Sequence, residues 1–315
     1  MMKIAVLDGK QLNDLNWAGI EALGGVAKYD STAPELVVER AKGAEAVLVN
    51  KVKMTKDVMD ALPEMKYIGV LATGYDNVDL AAAKERGIVV TNVPGYSTDS
   101  VAQLIFALLL ELCHHAGRHS DGVIGEKKWS NQPYYSYWED PLIELAGKTM
   151  GIIGMGKIGR RTAQIARAFG MKVLMYSRTK KEIEGAEWVG LDELLEKSDV
   201  VVPCCPLNDG TRGMMNKAAF DKMKKSAFFV NTARGGVVVD EDLRDALNAG
   251  EIAGAAVDVM TTEPPKEDNP LFNAKNIVIT PHIAWATKEA RTRLLEIVRE
   301  NLEMWMAGHA KNVVN

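Results

Sequence analysis

Short apolar runs alternate with helix-like segments along the whole 315-residue chain. Most of these runs are continuous rather than broken by a polar residue at every second position, which is typical of parallel strands buried on both faces. Strands that alternate with helices form parallel sheets with helices on both sides. The sequence therefore predicts the α/β class with doubly wound parallel sheets. We predict strands at 3–7, 46–49, 68–71, 88–91, 149–153, 172–176, 200–203, 227–231, 255–258 and 277–280, and helices at 33–41, 78–86, 159–168, 191–196, 240–249 and 288–306.

Length and composition narrow the class of protein. A chain of 315 residues is long for one domain, so two domains are expected. The net charge of -4 gives no sign of the basic face that nucleic-acid binding needs. The longest apolar run, residues 101–113, is too short for a membrane span and contains Gln103 and Glu111. We expect no nucleic-acid or membrane partner, and the odd number of cysteines and the absence of a signal-peptide pattern favour the reducing cytoplasm.

A glycine-rich segment follows one predicted strand and opens a helix. The segment reads Gly154-Met155-Gly156-Lys157-Ile158-Gly159, a G-x-G-x-x-G pattern. Gly154 permits the tight turn, Gly156 lets the backbone approach a pyrophosphate, and Gly159 allows close packing of helix and strand. The pattern alone is weak, and a purely structural turn is the alternative reading, but the strand–turn–helix context favours a dinucleotide site.

The end of the next predicted strand bears on the cofactor. Sites specific for NAD place an acidic residue there to bind the ribose 2′-hydroxyl. This chain has Ser177-Arg178-Thr179 instead, and Lys180 and Lys181 follow with further positive charge. An arginine flanked by hydroxyls suits a 2′-phosphate, so NADP(H) is favoured and NAD(H) remains possible. The alternative is that Arg178 is an ordinary solvated residue.

Three residues that could perform acid–base chemistry follow later strands. They are Arg234, Glu263 and His282, each at or just after a predicted strand end. In a doubly wound sheet, groups beyond the carboxyl ends of the strands line the ligand crevice. Together they could act on a carboxylated substrate, although each alone could be structural. No metal is predicted, because Cys113, His115 and His119 lack a further set of ligands.

These motifs together resemble the D-isomer-specific 2-hydroxyacid dehydrogenase family over essentially the whole chain. Within that family, Tyr137-Trp138 and residues 281–287 look closest to glycerate dehydrogenases, also called hydroxypyruvate reductases. This chain departs from the family pattern at two places. It has no acidic residue after the predicted strand at 172–176, and it has Cys205 where many relatives have histidine. The blocks that carry the resemblance are Thr73-Gly74-Tyr75-Asp76, Val101-Ala102-Gln103, the glycine segment, Cys205-Pro206-Leu207, residues 231–236, residues 258–264 and Pro281-His282.

The resemblance implies two Rossmann-like domains and a reaction. A cofactor domain at 99–285 would be inserted into a substrate domain formed by 1–98 and 286–315. Hydride would pass between NAD(P)H and a small 2-keto acid, converting hydroxypyruvate or glyoxylate to D-glycerate or glycolate. His282 would donate the proton, Glu263 would orient it, and Arg234 would bind the substrate carboxylate.

The resemblance also implies further contacts and an assembly. We expect a homodimer, formed through a helix at 101–116 and the aromatic loop at 125–141. The alternatives are a dehydrogenase of another D-2-hydroxy acid, such as D-lactate or phosphoglycerate, and a non-catalytic regulator that senses nicotinamide. Implied cofactor contacts are Cys205, Pro206, Thr232, Ala233 and Asp258; implied substrate contacts are Lys51, Val52, Thr73, Gly74, Trp285 and, from a neighbouring subunit, Trp138.

Overall fold

The computed structural model describes residues 1–180 and 182–315, so Lys181 of the basic stretch lies outside the described residues. Contacts within the chain divide it into two compact units. Unit 1 comprises Met1–Ser97 and Ala286–Asn315, and unit 2 comprises Thr98–Trp285. Each unit is built on its own parallel sheet, so the chain is an α/β protein with two parallel sheets, as the sequence predicts.

Unit 1 contains a five-stranded parallel sheet in the order β2-β1-β3-β4-β5. The three central strands are almost fully buried, because helices cover both faces of the sheet. The strands are β1 Lys3–Val6, β2 Gly25–Lys28, β3 Ala46–Val49, β4 Tyr67–Val70 and β5 Val89–Thr91. The helices are α1 Ala18–Glu21, α2 Val37–Ala41, α3 Lys56–Asp60, α4 Leu80–Glu85 and, from the end of the chain, α11 Lys288–Met306.

Unit 1 differs from the prediction at the short helices α1 and α3, which were not predicted, and at two features that have a local physical reason. Strand β2 was not expected, because its residues at the sheet edge are exposed or only half-buried and lack a continuous apolar run. The helix predicted at 33–41 begins as a 3-10 turn, Pro34–Leu36, and becomes α-helical only in α2. Proline at its first position fixes the backbone there and removes a hydrogen-bond donor.

Unit 2 contains a seven-stranded parallel sheet in the order β12-β11-β10-β9-β6-β7-β8. The chain reverses its direction of winding between β6 and β9, which is where ligands bind in open sheets of this kind. The strands are β6 Thr149–Ile153, β7 Lys172–Tyr176, β8 Glu187–Trp188, β9 Val200–Pro203, β10 Phe228–Asn231, β11 Gly254–Val257 and β12 Ile277–Ile279. The helices are α5 Thr98–His114, α6 Ala116–Ile124, α7 Lys157–Ala168, α8 Leu191–Lys197, α9 Lys217–Phe220 and α10 Asp240–Ala249.

The helix predicted at 101–116 is two helices in the structure. Helix α5 ends at His114 because His115 takes a left-handed conformation, with φ +48°, and α6 then leaves at 57°. One face of α5, including Ile105 and Leu109, is fully buried in the core of unit 2. Within the described residues no single helix is long and apolar enough to cross a membrane; the bent pair α5–α6 meets that criterion by length and composition.

Candidate active site

The glycine segment connects β6 to α7, and each glycine has a local structural reason. Gly154 has φ +117°, and a Cβ there would lie 2.7 Å from the carbonyl oxygen of Cys204. A Cβ on Gly159 would lie 2.2 Å from the carbonyl oxygen of Gly154. Gly156 has open space around its Cβ position and precedes the first residue of α7, Lys157. The backbone N–H groups that begin α7 therefore face room for an anion.

The turn after β7 holds the residues predicted to bind a 2′-phosphate. The indole N–H of Trp188 donates to the carbonyl oxygen of Ser177 at 3.3 Å, which fixes the start of the turn. The Ser177 hydroxyl donates to the carbonyl oxygen of Thr179 at 2.6 Å, so it must rotate before it can donate to a phosphate. Arg178 and Thr179 are exposed. Arg178 is therefore the donor in this turn best able to meet a ligand.

Arg234 lies in a turn that the preceding strand organises. The side chain of Asn231 accepts a hydrogen bond from the N–H of Ala233 at 3.0 Å and donates to the carbonyl oxygen of Arg234 at 3.0 Å. A Cβ on Gly235 would lie 2.0 Å from backbone atoms of Met260. The absence of a side chain at Gly235 thus lets the Arg234 turn pack against the loop after β11.

His282 and Glu263 form a direct pair in unit 2. The His282 Nδ1 lies 2.6 Å from a Glu263 carboxylate oxygen, and the other Glu263 oxygen accepts the N–H of Met260 at 3.1 Å. A carboxylate can only accept, so Nδ1 carries a proton and Nε2 is the ring nitrogen left for another partner. His282 has φ +54°, an unusual conformation for a residue other than glycine. Strained backbone of this kind clusters at functional sites.

Asp258 holds the turn that carries His282, a role that no local sequence pattern indicates. One carboxylate oxygen accepts the Thr280 hydroxyl at 2.6 Å and the N–H of Ile283 at 2.8 Å. The other accepts the N–H of Ala284 at 2.8 Å. Asp258 is almost fully buried, and its three donors bracket His282 along the chain. These contacts stabilise the left-handed turn, while the cofactor contact implied by family resemblance stays a prediction.

The residues of unit 1 that are predicted to contact substrate lie on two neighbouring loops. Asp8 accepts the backbone N–H groups of Lys51 and Val52, so those two amides already have a partner. The Thr73 hydroxyl donates to the carbonyl oxygen of Val93 at 2.8 Å, and Gly74 follows it in the same loop. The exposed side chains of Lys51 and Lys53 extend from this loop into solvent.

The other predicted site residues occupy varied environments. Trp285 is half-buried three positions after His282, and Trp138 is exposed on the loop after α6. Thr232 is buried beside Ala233 at the end of β10, whereas Cys205 and Pro206 follow β9. Burial raises the pKa of the Cys205 thiol, which favours its neutral form.

No group of three histidine, cysteine, aspartate or glutamate residues within residues 1–180 and 182–315 could hold a metal ion. The three cysteines, Cys113, Cys204 and Cys205, are free thiols in the structure. Burial raises the pKa of Cys113 to about 11, so its thiolate is disfavoured near neutral pH.

A known family matches the part of the chain that carries the glycine segment. The same part carries the turns of Arg234, Glu263 and His282. The family model described as "D-isomer specific 2-hydroxyacid dehydrogenase, NAD binding domain" matches residues 106–284. The chain belongs to this family. The resemblance inferred from the motifs is thereby confirmed, and the protein is an oxidoreductase that uses a nicotinamide cofactor.

Similar proteins span the whole chain. A hydroxypyruvate reductase from Blautia hydrogenotrophica is 50% identical over 322 residues, covering 100% of both chains. A glycerate dehydrogenase from Methylorubrum extorquens is 40% identical over 290 residues, covering 91% of each. Among solved structures, an NADPH-dependent glyoxylate/hydroxypyruvate reductase from Sinorhizobium meliloti has a TM-score of 0.87 at 28% identity, covering 100% of this chain and 98% of that one.

Proposed function

We propose that the protein reduces a small 2-keto acid with NAD(P)H, converting hydroxypyruvate to D-glycerate and glyoxylate to glycolate. This proposal rests on the 2.6 Å distance between His282 Nδ1 and a carboxylate oxygen of Glu263. Both residues lie in turns that follow strands of unit 2. The names of the hydroxypyruvate reductase and glycerate dehydrogenase relatives support this choice of substrate.

His282 would donate a proton from Nε2 to the oxygen of the keto group as it becomes an alkoxide. Glu263 fixes the ring through Nδ1 and places a negative charge beside the imidazolium that donates the proton. The Arg234 guanidinium would pair with the substrate carboxylate and polarise the neighbouring carbonyl. The three residues thus cover binding, polarisation and proton transfer.

The glycine segment fits a dinucleotide, because Gly156 leaves open space in front of the first turn of α7. Its N–H groups would hold the pyrophosphate. When bound, the nicotinamide supplies hydride from C4 to the keto carbon. Thr232, Ala233, Asp258, Cys205 and Pro206 are proposed to contact this cofactor.

We propose that NADP(H) is preferred over NAD(H). The turn after β7 has no acidic residue to repel a 2′-phosphate, and Arg178 is exposed there. An NADPH-dependent reductase among the similar solved structures supports this preference. The free thiols support a reducing, cytoplasmic location for the enzyme.

The proposed substrate class predicts an order of reactivity. Trp285 lies three residues after His282, and its large ring would leave only a small pocket for the substrate side chain. We therefore expect hydroxypyruvate and glyoxylate to give higher kcat/KM values than pyruvate or branched keto acids. Oxidation of NADPH and NADH followed at 340 nm with a panel of 2-keto acids measures this. A preference for branched or aromatic keto acids would contradict the proposal.

We also propose a homodimer with the aromatic loop at its interface. Tyr135 is 92% exposed and Trp138 is 64% exposed, and clustered exposed aromatic rings are typical of protein interfaces. Light scattering at micromolar concentration should give the mass of two chains. Replacing both residues by serine should shift the population toward the mass of one chain, whereas a wild-type monomer would rule out the dimer.

A further inference from the structure

Asp8 binds three consecutive backbone N–H groups in unit 1. It lies two residues after β1, at the carboxyl end of the sheet. One carboxylate oxygen accepts the N–H of Asn50 at 2.7 Å, and the other accepts the N–H groups of Lys51 at 2.5 Å and Val52 at 3.0 Å. Successive N–H groups that converge in this way form a nest for an anion. Here the anion is a side chain of the protein itself.

The opposite side of the same loop is held by Asn77. Its side-chain amide donates to the backbone carbonyl oxygen of Val52 at 2.8 Å. The backbone carbonyl oxygen of Asn77 accepts the N–H of Met54 at 2.8 Å. Asn77 lies three residues after Gly74. It therefore joins the loop at residues 50–54, which we call the lysine loop, to the loop that carries Thr73 and Gly74.

These contacts determine what the lysine loop can offer a ligand. The amides of Lys51 and Val52 are directed at Asp8, so they are not available to a substrate carboxylate. The exposed ammonium groups of Lys51 and Lys53 remain, and of these two residues Lys51 is the one whose own backbone N–H is bound by Asp8. A loop without such anchors would have to become ordered on binding, which costs conformational entropy.

We infer that Asp8 is a positioning residue for substrate binding: it holds the backbone of the lysine loop so that the Lys51 ammonium pairs with the carboxylate of the 2-keto acid. This inference rests on the proposed function. Asn77 holds the backbone of the lysine loop from its other side and so has the same positioning role. Neither residue takes part in proton or hydride transfer, so their effect is on the KM of the keto acid.

The test is the variant Asp8→Asn. Asparagine keeps the shape of the side chain, but its NH₂ group cannot accept the N–H groups that the lost oxygen accepted. We expect KM for hydroxypyruvate to rise about tenfold, the scale of one lost charged hydrogen bond. The kcat value should stay within about threefold, and the Kd of NADPH, measured by titration of tryptophan fluorescence, should not change.

Two matched controls separate positioning from general stability. Asp199 in unit 2 also accepts a backbone N–H, that of Thr149 at 2.8 Å, and pairs with Lys224 at 2.9 Å. It lies immediately before β9. Asp199→Asn should lower the melting temperature without changing KM for hydroxypyruvate. Lys53 is exposed two residues from Lys51, so Lys53→Ala should leave KM unchanged, whereas Lys51→Ala should raise it.

A double variant makes the test specific. If Asp8 acts through Lys51, then Asp8→Asn combined with Lys51→Ala should raise KM no further than Lys51→Ala alone. Additive effects, or a wild-type KM in Asp8→Asn, would overturn the inference. If Asp8→Asn does not fold, Asn77→Ala provides the same comparison. Lack of turnover by the wild-type enzyme would instead overturn the proposed function, and it is seen before any variant is made.

Discussion

Replacing His282 by asparagine should lower the rate of hydroxypyruvate reduction by at least about a hundredfold, the usual scale of general acid catalysis. Asparagine can still accept or donate a hydrogen bond near Glu263, but it cannot deliver a proton to an alkoxide. The kcat value should fall while the Kd of NADPH stays the same. Steady-state kinetics at 340 nm and a separate cofactor titration measure the two quantities.

Two further variants test whether the loss of rate is specific to the pair of His282 and Glu263. Glu263→Gln keeps an oxygen that can accept the Nδ1 proton but removes the negative charge, so its rate should lie between those of the wild type and His282→Asn. His309 is an exposed histidine in unit 1, and His309→Asn should leave the rate unchanged. Wild-type turnover by His282→Asn would exclude His282 as the proton donor.

Replacing Arg178 by alanine should reduce the preference for NADPH over NADH by about ten- to a hundredfold. This range corresponds to roughly 1.5–3 kcal/mol for a hydrogen bond to a charged group. The loss should come from kcat/KM for NADPH, because NADH has no 2′-phosphate for Arg178 to bind. Measurement of kcat/KM for both cofactors gives the ratio directly.

The neighbouring residues provide the controls for this prediction. Lys180 lies over the ring of Trp188, 5.8 Å from its centre, so Lys180→Ala should change the cofactor ratio much less. Ser177→Asp would place a negative charge at the end of β7 and should favour NADH by repelling the phosphate. An NADH preference in the wild type that Arg178→Ala leaves unchanged would show that this turn does not bind phosphate.

Local sequence patterns predicted much of the fold of unit 2. The glycine segment requires only short-range geometry, and the positive φ of Gly154 and the close contact of Gly159 agree with the roles assigned to them. Strands β6, β7 and β9 have the predicted bounds because their apolar runs are buried on both faces. The edge strand β8 was missed because it has only two residues, neither of them buried.

The hydrogen bonds that hold the loops of the candidate site could not be predicted from the sequence, because they join residues far apart in the chain. Asp8 and Asn50 are 42 positions apart, and Asp258 and Ala284 are 26 apart. No local pattern indicates which backbone amides a carboxylate will accept. Only the packing of the strands brings these partners together, so Asp258 was assigned to the cofactor and Asp8 was assigned no role.

Analysis of the product would show whether the protein is a D-specific reductase of small keto acids. Purified enzyme should oxidise NADPH in the presence of hydroxypyruvate and form one equivalent of glycerate for each equivalent of NADPH. Chiral chromatography should identify that glycerate as the D enantiomer, and His282→Asn should form it at least about a hundredfold more slowly. If neither reduced cofactor is oxidised, or if L-glycerate forms, the protein is not a D-specific reductase of hydroxypyruvate.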